Sequence, residues 1–294
     1  MTNVPSRSAR ADNISEEFFV TDTVYDLVIL GAGSGGYAAA LRGAQLGLSV
    51  ALIEADKIGG TCLHRGCVPT KAILHSAETA EAVREAAAVG VRAAYQGLDM
   101  PAVQRYKNGV ISRMYKGLQG LVASRGIEVV GGWGRLVARD TVEVSGRRYR
   151  GRNIVLATGS LSKTMGQEIS GPVMTSDQAL ELDHVPASAV VLGGGVIGVE
   201  LASAWASMGS QVTIIEALPH LVPNEDEAIS KQLERAFRKR RIAFRTSTMF
   251  DSVERTAAGV TVRTADGRTH DAEVLLIAVG RGPATANLGY EEVG

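Results

Sequence analysis

Hydrophobic runs and the glycines between them set the frame of this chain. Leu27 to Leu30 and Val190 to Leu192 are short apolar runs of the kind that form strands buried on both faces. Each leads into a glycine turn, an alanine-rich helical stretch, a second glycine turn (Gly47; Gly209) and a second apolar strand that ends in a glutamate. Two later stretches, residues 153–160 (NIVLATGS) and 272–283 (AEVLLIAVGRGP), are apolar strands that run into a glycine. Residues 128–150 and 250–270, which precede them, alternate in polarity and carry turn residues, so they read as β-meanders. Helical patterns cover residues 70–88 and 101–125 in the first half and 226–240 in the second. The pattern predicts an α/β protein of two Rossmann-like, three-layer ββα dinucleotide-binding domains, each with a parallel sheet and a β-meander.

The repeat is exact in spacing. Gly31, Gly33 and Gly36 match Gly193, Gly195 and Gly198 at a constant offset of 162 residues, and Glu54 matches Glu216 at the same offset. The first glycine of such a loop permits a tight turn, the second lets a pyrophosphate approach the backbone, and the third lets the helix pack on the strands. The helix start, with Val196 and Ile197 in the second copy, offers free N–H groups and a positive dipole end to the phosphates. The glutamate accepts from a ribose 2′-hydroxyl and repels a 2′-phosphate, so the second unit is expected to prefer NAD over NADP. Structural glycine turns are the plainer alternative, but strand, glycines, helix and acid coincide twice. Two such units imply two dinucleotides, or one and a relic.

Composition narrows the setting. With 45% hydrophobic residues in 294, the chain has enough apolar material for a real core and is not a disordered one. Lys plus Arg and Asp plus Glu are both 31, which gives no general reason to expect nucleic acid or an anionic membrane as partner. The basic run 235–241 reads as a solvated helix C-terminus, where cations are favoured. Residues 1–23 are polar and lack a signal peptide's apolar core; Asp12, Glu16 and Glu17 argue against a transit peptide. No apolar run is long enough for a transmembrane helix.

The two cysteines, Cys62 and Cys67, lie five positions apart in GGTCLHRGCVPTK, residues 59–71. This points to redox chemistry in a reducing, cytoplasmic setting rather than to a disulfide scaffold. Val68-Pro69 is a natural helix start, so Cys67 is expected at a helix N-terminus, a place that favours a thiolate. Lys71 falls one turn later on the same face. Two buried free cysteines are the plainer alternative. No metal site is expected, since no second ligand pair has suitable spacing.

These motifs together resemble the flavin-dependent pyridine nucleotide–disulfide oxidoreductases, and within them the enzymes that oxidise dihydrolipoamide with NAD+. The resemblance runs from about Val24 to the end of the chain. It implies a polar extension over 1–23, an FAD-binding domain over 24–159, an NAD-binding domain over 160–283 and the start of a further domain over 284–294. Gly31, Gly33, Gly36 and Glu54 would hold the FAD pyrophosphate and ribose. Gly60 and Thr61 would lie near the phosphates, Gly134 near the adenine, and Ala157, Thr158 and Gly159 in a second flavin fingerprint. Cys67 would face the flavin and Cys62 would be the exposed sulfur that exchanges with substrate. Lys71 would sit near the flavin, paired with Glu200. Gly193, Gly195, Val196, Ile197, Gly198, Glu216 and Gly280 would hold NAD. Implied partners are a lipoyl group of a 2-oxo acid dehydrogenase complex, or a small disulfide, and a second subunit.

Glutathione and mercuric reductases share the cysteine spacing but prefer NADPH; Glu216, with no arginine pair after it, favours NAD. Members of this family normally continue past a motif like AVGRGP. There they carry a Gly-Asp turn that binds flavin and a His-Pro motif that supplies the acid–base histidine. None of the five histidines here lies in that setting, and His64, between the cysteines, reads as a solvent-side residue of the redox turn. Two expectations follow: an NAD-linked disulfide oxidoreductase, or a two-domain dinucleotide-binding module without turnover.

Overall fold

The computed structural model describes residues 20–294, so most of the polar extension expected over 1–23 lies outside the described residues. The first unit runs β1 (Val20–Leu30), α1 (Ser34–Gln45), β2 (Val50–Glu54), α2 (Gly60–His64), α3 (Cys67–Glu85), α4 (Met100–Ser124), β3 (Glu128–Gly131), β4 (Gly134–Ala138), β5 (Thr141–Val144) and β6 (Arg147–Leu156). Its six strands form one sheet in the order β3-β2-β1-β6-β5-β4. The pairings β3-β2, β2-β1 and β1-β6 are parallel, and β6-β5 and β5-β4 are antiparallel. Val28, Ile29, Leu52 and Ile53 are fully buried, as the unbroken apolar runs require of a sheet covered on both faces.

Three boundaries differ from the expectation. β1 begins seven residues before Leu27, because its polar first half still finds backbone partners on β6, such as Val24 with Arg150. Residues 128–131 leave the meander and become the parallel edge of the sheet beside β2. Residues 153–156 are not a separate closing strand. β6 runs through, pairing with β5 over its first part and with β1 along its length. Gly151 permits this: a Cβ there would lie 2.9 Å from Val28 Cγ2.

The second unit runs β7 (Ser160–Ser162), β8 (Val173–Met174), α5 (Ser176–Ala179), β9 (Ser188–Leu192), α6 (Val196–Met208), β10 (Gln211–Ile215), α7 (Glu227–Lys239), β11 (Ala243–Arg245), β12 (Phe250–Thr256), β13 (Gly259–Thr264), β14 (Thr269–Ala272), β15 (Val274–Ile277), β16 (Arg281–Pro283) and α8 (Tyr290–Val293). Its main sheet, β11-β10-β9-β15-β8, is parallel throughout. β12, β13 and β14 form the expected antiparallel meander as a sheet of their own.

The units are joined in three ways. β7 and β16 pair antiparallel where the chain crosses between them. Ile73 and Ala77 of α3 and Met100 and Val103 of α4 are buried in the same cluster as Val191, Leu201 and Ile214 of the second unit. The tail, residues 284–294, packs on the first unit: Leu136 N–H donates to Leu288 O at 2.8 Å, and Tyr290 and Val293 pack against the first unit's core. The basic run at the end of α7 is only partly solvated, because Arg240 donates to Ser203 Oγ (2.7 Å) and Ser207 Oγ (2.6 Å) of α6 and pairs with Glu81.

Candidate functional site

Both glycine loops adopt the same geometry. Gly31 and Gly193 have φ of 98°, a left-handed conformation that glycine takes without strain. A Cβ on them would lie 2.3 Å from Ala157 O and 2.4 Å from Ala278 O. The third glycines are packing positions: a Cβ on Gly36 or Gly198 would lie 1.8 or 1.9 Å from the carbonyl oxygen of the first glycine. The middle glycines face open space. Nothing lies within 4 Å of a Cβ built on Gly195, and the nearest atom to one on Gly33 is Gly60 Cα at 3.9 Å. No side chain caps α1 or α6, so the first-turn N–H groups at Gly33 and Gly195 point to an anionic ligand. These features fit a dinucleotide pyrophosphate at each loop.

The glutamates do more than sequence reasoning assigned. Glu54 accepts from Ala32 N–H at 2.7 Å and Asp56 N–H at 2.9 Å. Glu216 accepts from Gly194 N–H at 2.6 Å and Leu218 N–H at 2.8 Å. Each carboxylate therefore ties the end of its strand to its own glycine loop. A carboxylate has about four acceptor sites, so both keep capacity for a ribose hydroxyl.

In the second unit Gly193, Gly195, Val196, Ile197, Glu216 and Gly280 line a single cleft of about 500 Å³, while Gly198 packs behind it. The same cleft is lined by Leu218, just after Glu216, and by Met165, Met249 and Phe250, which sequence reasoning missed because they come from segments distant from the glycine loop in the chain. In the first unit Gly60 sits against the glycine loop, where its own Cβ would lie 2.6 Å from Gly33 Cα, and Thr61 follows it on α2. Ala157 N–H donates to Leu30 O, Thr158 Oγ1 lies 3.1 Å from Tyr290 Oη, and Gly159 O accepts from Ala284 N–H. Gly134 is buried, and a Cβ on it would lie 2.5 Å from Leu30 Cδ1, so the core accounts for this glycine directly.

Cys67 is the first residue of α3, as Pro69 led us to expect, and Cys62 lies on α2. Both are free thiols. Burial pushes the Cys62 thiol up, and the neighbouring Cys67 adds to this, while the Ser34 hydroxyl at the start of α1 works against it. Cys67 is exposed and Cys62 half-buried. Cys67 stands at an open helix start, whereas Cys62 is held on α2 against α1. Lys71, one turn along α3, donates to Glu200 Oε1 on α6 at 2.7 Å. His64 is half-buried rather than free in solvent. Its Nε2–H donates to Ile58 O at 2.9 Å and its ring meets Tyr115 edge-on. Among the described residues no group of three His, Cys, Asp or Glu is placed to hold a metal ion, and no helix is long and apolar enough to cross a membrane.

A family model described as pyridine nucleotide-disulphide oxidoreductase matches residues 25–294. The chain belongs to this family. The pyridine nucleotide-disulphide oxidoreductases to which it is similar include a dihydrolipoyl dehydrogenase of Bacillus subtilis, 38% identical over 289 residues, and one of Thermus scotoductus, 36% identical over 277. Each comparison takes in 92% of this chain and 61% or 60% of the relative, so the chain spans about three-fifths of their length. Among solved structures it resembles LpdA from Mycobacterium tuberculosis, with a TM-score of 0.82 at 28% identity over 91% of this chain and 61% of that one. It also resembles RclA from Escherichia coli, described as an HOCl-induced flavoprotein disulfide reductase (TM-score 0.77, 30% identity, 92% and 60% coverage). The family uses FAD and NAD(H). The Rossmann-like α/β fold predicted from the repeat is the fold that the chain shares with these solved structures.

Proposed function

We propose that this chain carries the redox disulfide and both dinucleotide sites of an oxidoreductase that oxidises a dihydrolipoyl dithiol with NAD+ as acceptor. The observation that carries this reading is the joint placement of the cysteine pair and the Lys71–Glu200 bridge: α3 begins at Cys67 and is tied through Lys71 to α6, which begins at the second glycine loop. FAD bound along the first loop would supply the two-electron relay between sulfur and nicotinamide. Gly31, Gly33, Gly36, Glu54, Gly60 and Thr61 would hold its pyrophosphate and ribose, and Ala157 to Gly159 its flank. The second cleft, with Glu216 at its ribose end, would hold NAD.

The order of attack follows from the two sulfurs. A substrate thiolate attacks Cys62 Sγ of the oxidised pair; the Cys62–Cys67 bond breaks, and Cys67 leaves as a thiolate at the positive end of α3. Attack at Cys67 would instead strand a thiolate on Cys62, where burial opposes charge. The second substrate thiolate then attacks the mixed disulfide, closes the substrate disulfide and releases Cys62, which takes up a proton. Lys71, fixed by Glu200, holds a positive charge one turn from the Cys67 thiolate. The relatives' names support a lipoyl group as substrate, and hence a 2-oxo acid dehydrogenase complex as partner.

The test is NADH formation from dihydrolipoamide and NAD+ with FAD present. Activity should vanish in Cys62→Ser and Cys67→Ser and be poor with NADP+. Turnover that survives Cys62→Ser would overturn the reading.

A further inference from the structure

The second cleft has a rim of unusual chemistry. Among the described residues there are six methionines, and Met100, Met174 and Met208 are buried at 8%, 3% and 7% exposure. Three are exposed: Met114 at 51%, Met165 at 46% and Met249 at 59%. Met114 lies on α4, away from the cleft, whereas Met165 and Met249 both line it. Both are fixed there by their backbones. Met165 has φ of 55° beside a turn in which Gln167 N–H donates to Thr164 O, and Lys163 N–H donates to the carbonyl of Gly280 on the cleft wall. Met249 follows Thr248, whose N–H donates to the carbonyl of Glu216. Two oxidisable thioethers are thus held at the mouth of the cleft by the residues that build its floor.

We propose that Met165 and Met249 form an oxidant-sensitive rim, and that their conversion to sulfoxides by hypochlorous acid weakens NAD(H) binding. The inference rests on the reading of this cleft as the NAD(H) site. In the step the oxygen of the acid forms a bond to the thioether sulfur and the O–Cl bond breaks. Sulfur gives up two electrons, chlorine leaves as chloride and the hydroxyl proton passes to water. A sulfoxide replaces a soft apolar contact with a strongly polar one that a bound dinucleotide must desolvate. Reduction of the sulfoxide by methionine sulfoxide reductase restores the rim, so the change is reversible.

The test uses the full chain with Cys62→Ser and Cys67→Ser, so that thiol oxidation contributes nothing, and follows NADH binding by fluorescence before and after hypochlorous acid. Mass spectrometry locates the sulfoxides. The dissociation constant should rise about tenfold, equivalent to about 1.4 kcal/mol, and return after sulfoxide reductase. With Met165→Leu and Met249→Leu added, affinity should stay at that variant's own starting value through the treatment. With Met114→Leu instead, the loss should persist. An unchanged dissociation constant with both sulfoxides present, no sulfoxide at either position, or an equal loss in the leucine pair would each overturn the inference. Untreated protein that fails to bind NADH would overturn the parent reading, and this one with it.

Discussion

Lys71 and Glu200, 129 positions apart, meet at 2.7 Å and join the helix that starts at the redox cysteine to the helix that starts at the second glycine loop. The lysine side chain is 56% exposed, so the pair contributes at most about 1 kcal/mol to stability. Its consequence is positional. Lys71→Met and Glu200→Gln should each lower dithiol-dependent NADH formation by about tenfold or more. Thermal unfolding should barely change. Loss of folding in parallel with activity would show a structural role alone.

Gly195→Val should abolish NADH binding without unfolding the chain, since a side chain there meets nothing of the protein and occupies the approach to α6. Glu216→Ala should reduce the preference for NADH over NADPH. It should also cost stability, about 1–2 kcal/mol, by leaving Gly194 and Leu218 N–H groups without their acceptor. Calorimetric titration with both cofactors and denaturant unfolding check the two effects separately.

The cysteines should differ in their response to pH. In Cys67→Ser, the remaining Cys62 should be alkylated with a midpoint above that of an ordinary thiol, because burial is the main cause of its upward shift and survives the substitution. As pH rises, its reaction should therefore lag behind that of a free thiol. At neutral pH Cys67, exposed at the start of α3, should be the faster of the two. Faster alkylation of Cys62 would reverse the assigned roles.

Lys107 predicts an asymmetry. Its side chain is fully buried and Nζ donates to Leu180 O at 2.8 Å and to Glu181, whose side chain is 62% exposed. Glu181→Ala leaves a buried ammonium without its counter-charge and should cost about 3 kcal/mol. Lys107→Met removes the buried charge, leaves Glu181 in water, and keeps Gln104 as a donor to Leu180 O. It should cost less than about 1.5 kcal/mol. Denaturant unfolding of the two variants decides this, and the opposite order would contradict it.

What the sequence made legible is what local spacing encodes. Strand, glycines, helix and glutamate at a fixed interval located both loops, and Pro69 located the start of α3. What depends on contacts between distant segments was not legible. Nothing near Glu54 or Glu216 in the chain announces that each clamps its own loop. Met165 and Met249 reach the cleft from separate loops. His64 turns inward because Ile58 O and Tyr115 are available to it. Residues 128–131 open the stretch that reads as a meander, yet β2 offers them a free parallel edge. The pairing of Lys71 with Glu200 came from family resemblance rather than from periodicity.

The central claim is a continuous electron path between the cysteine pair and NAD(H) within this chain. The most direct measurement starts from oxidised protein under anaerobic conditions, adds FAD and NADH, and counts alkylatable thiols. The account predicts that Cys62 and Cys67 both become labelled only when FAD and NADH are present together. Binding of both cofactors with the disulfide left intact would contradict it.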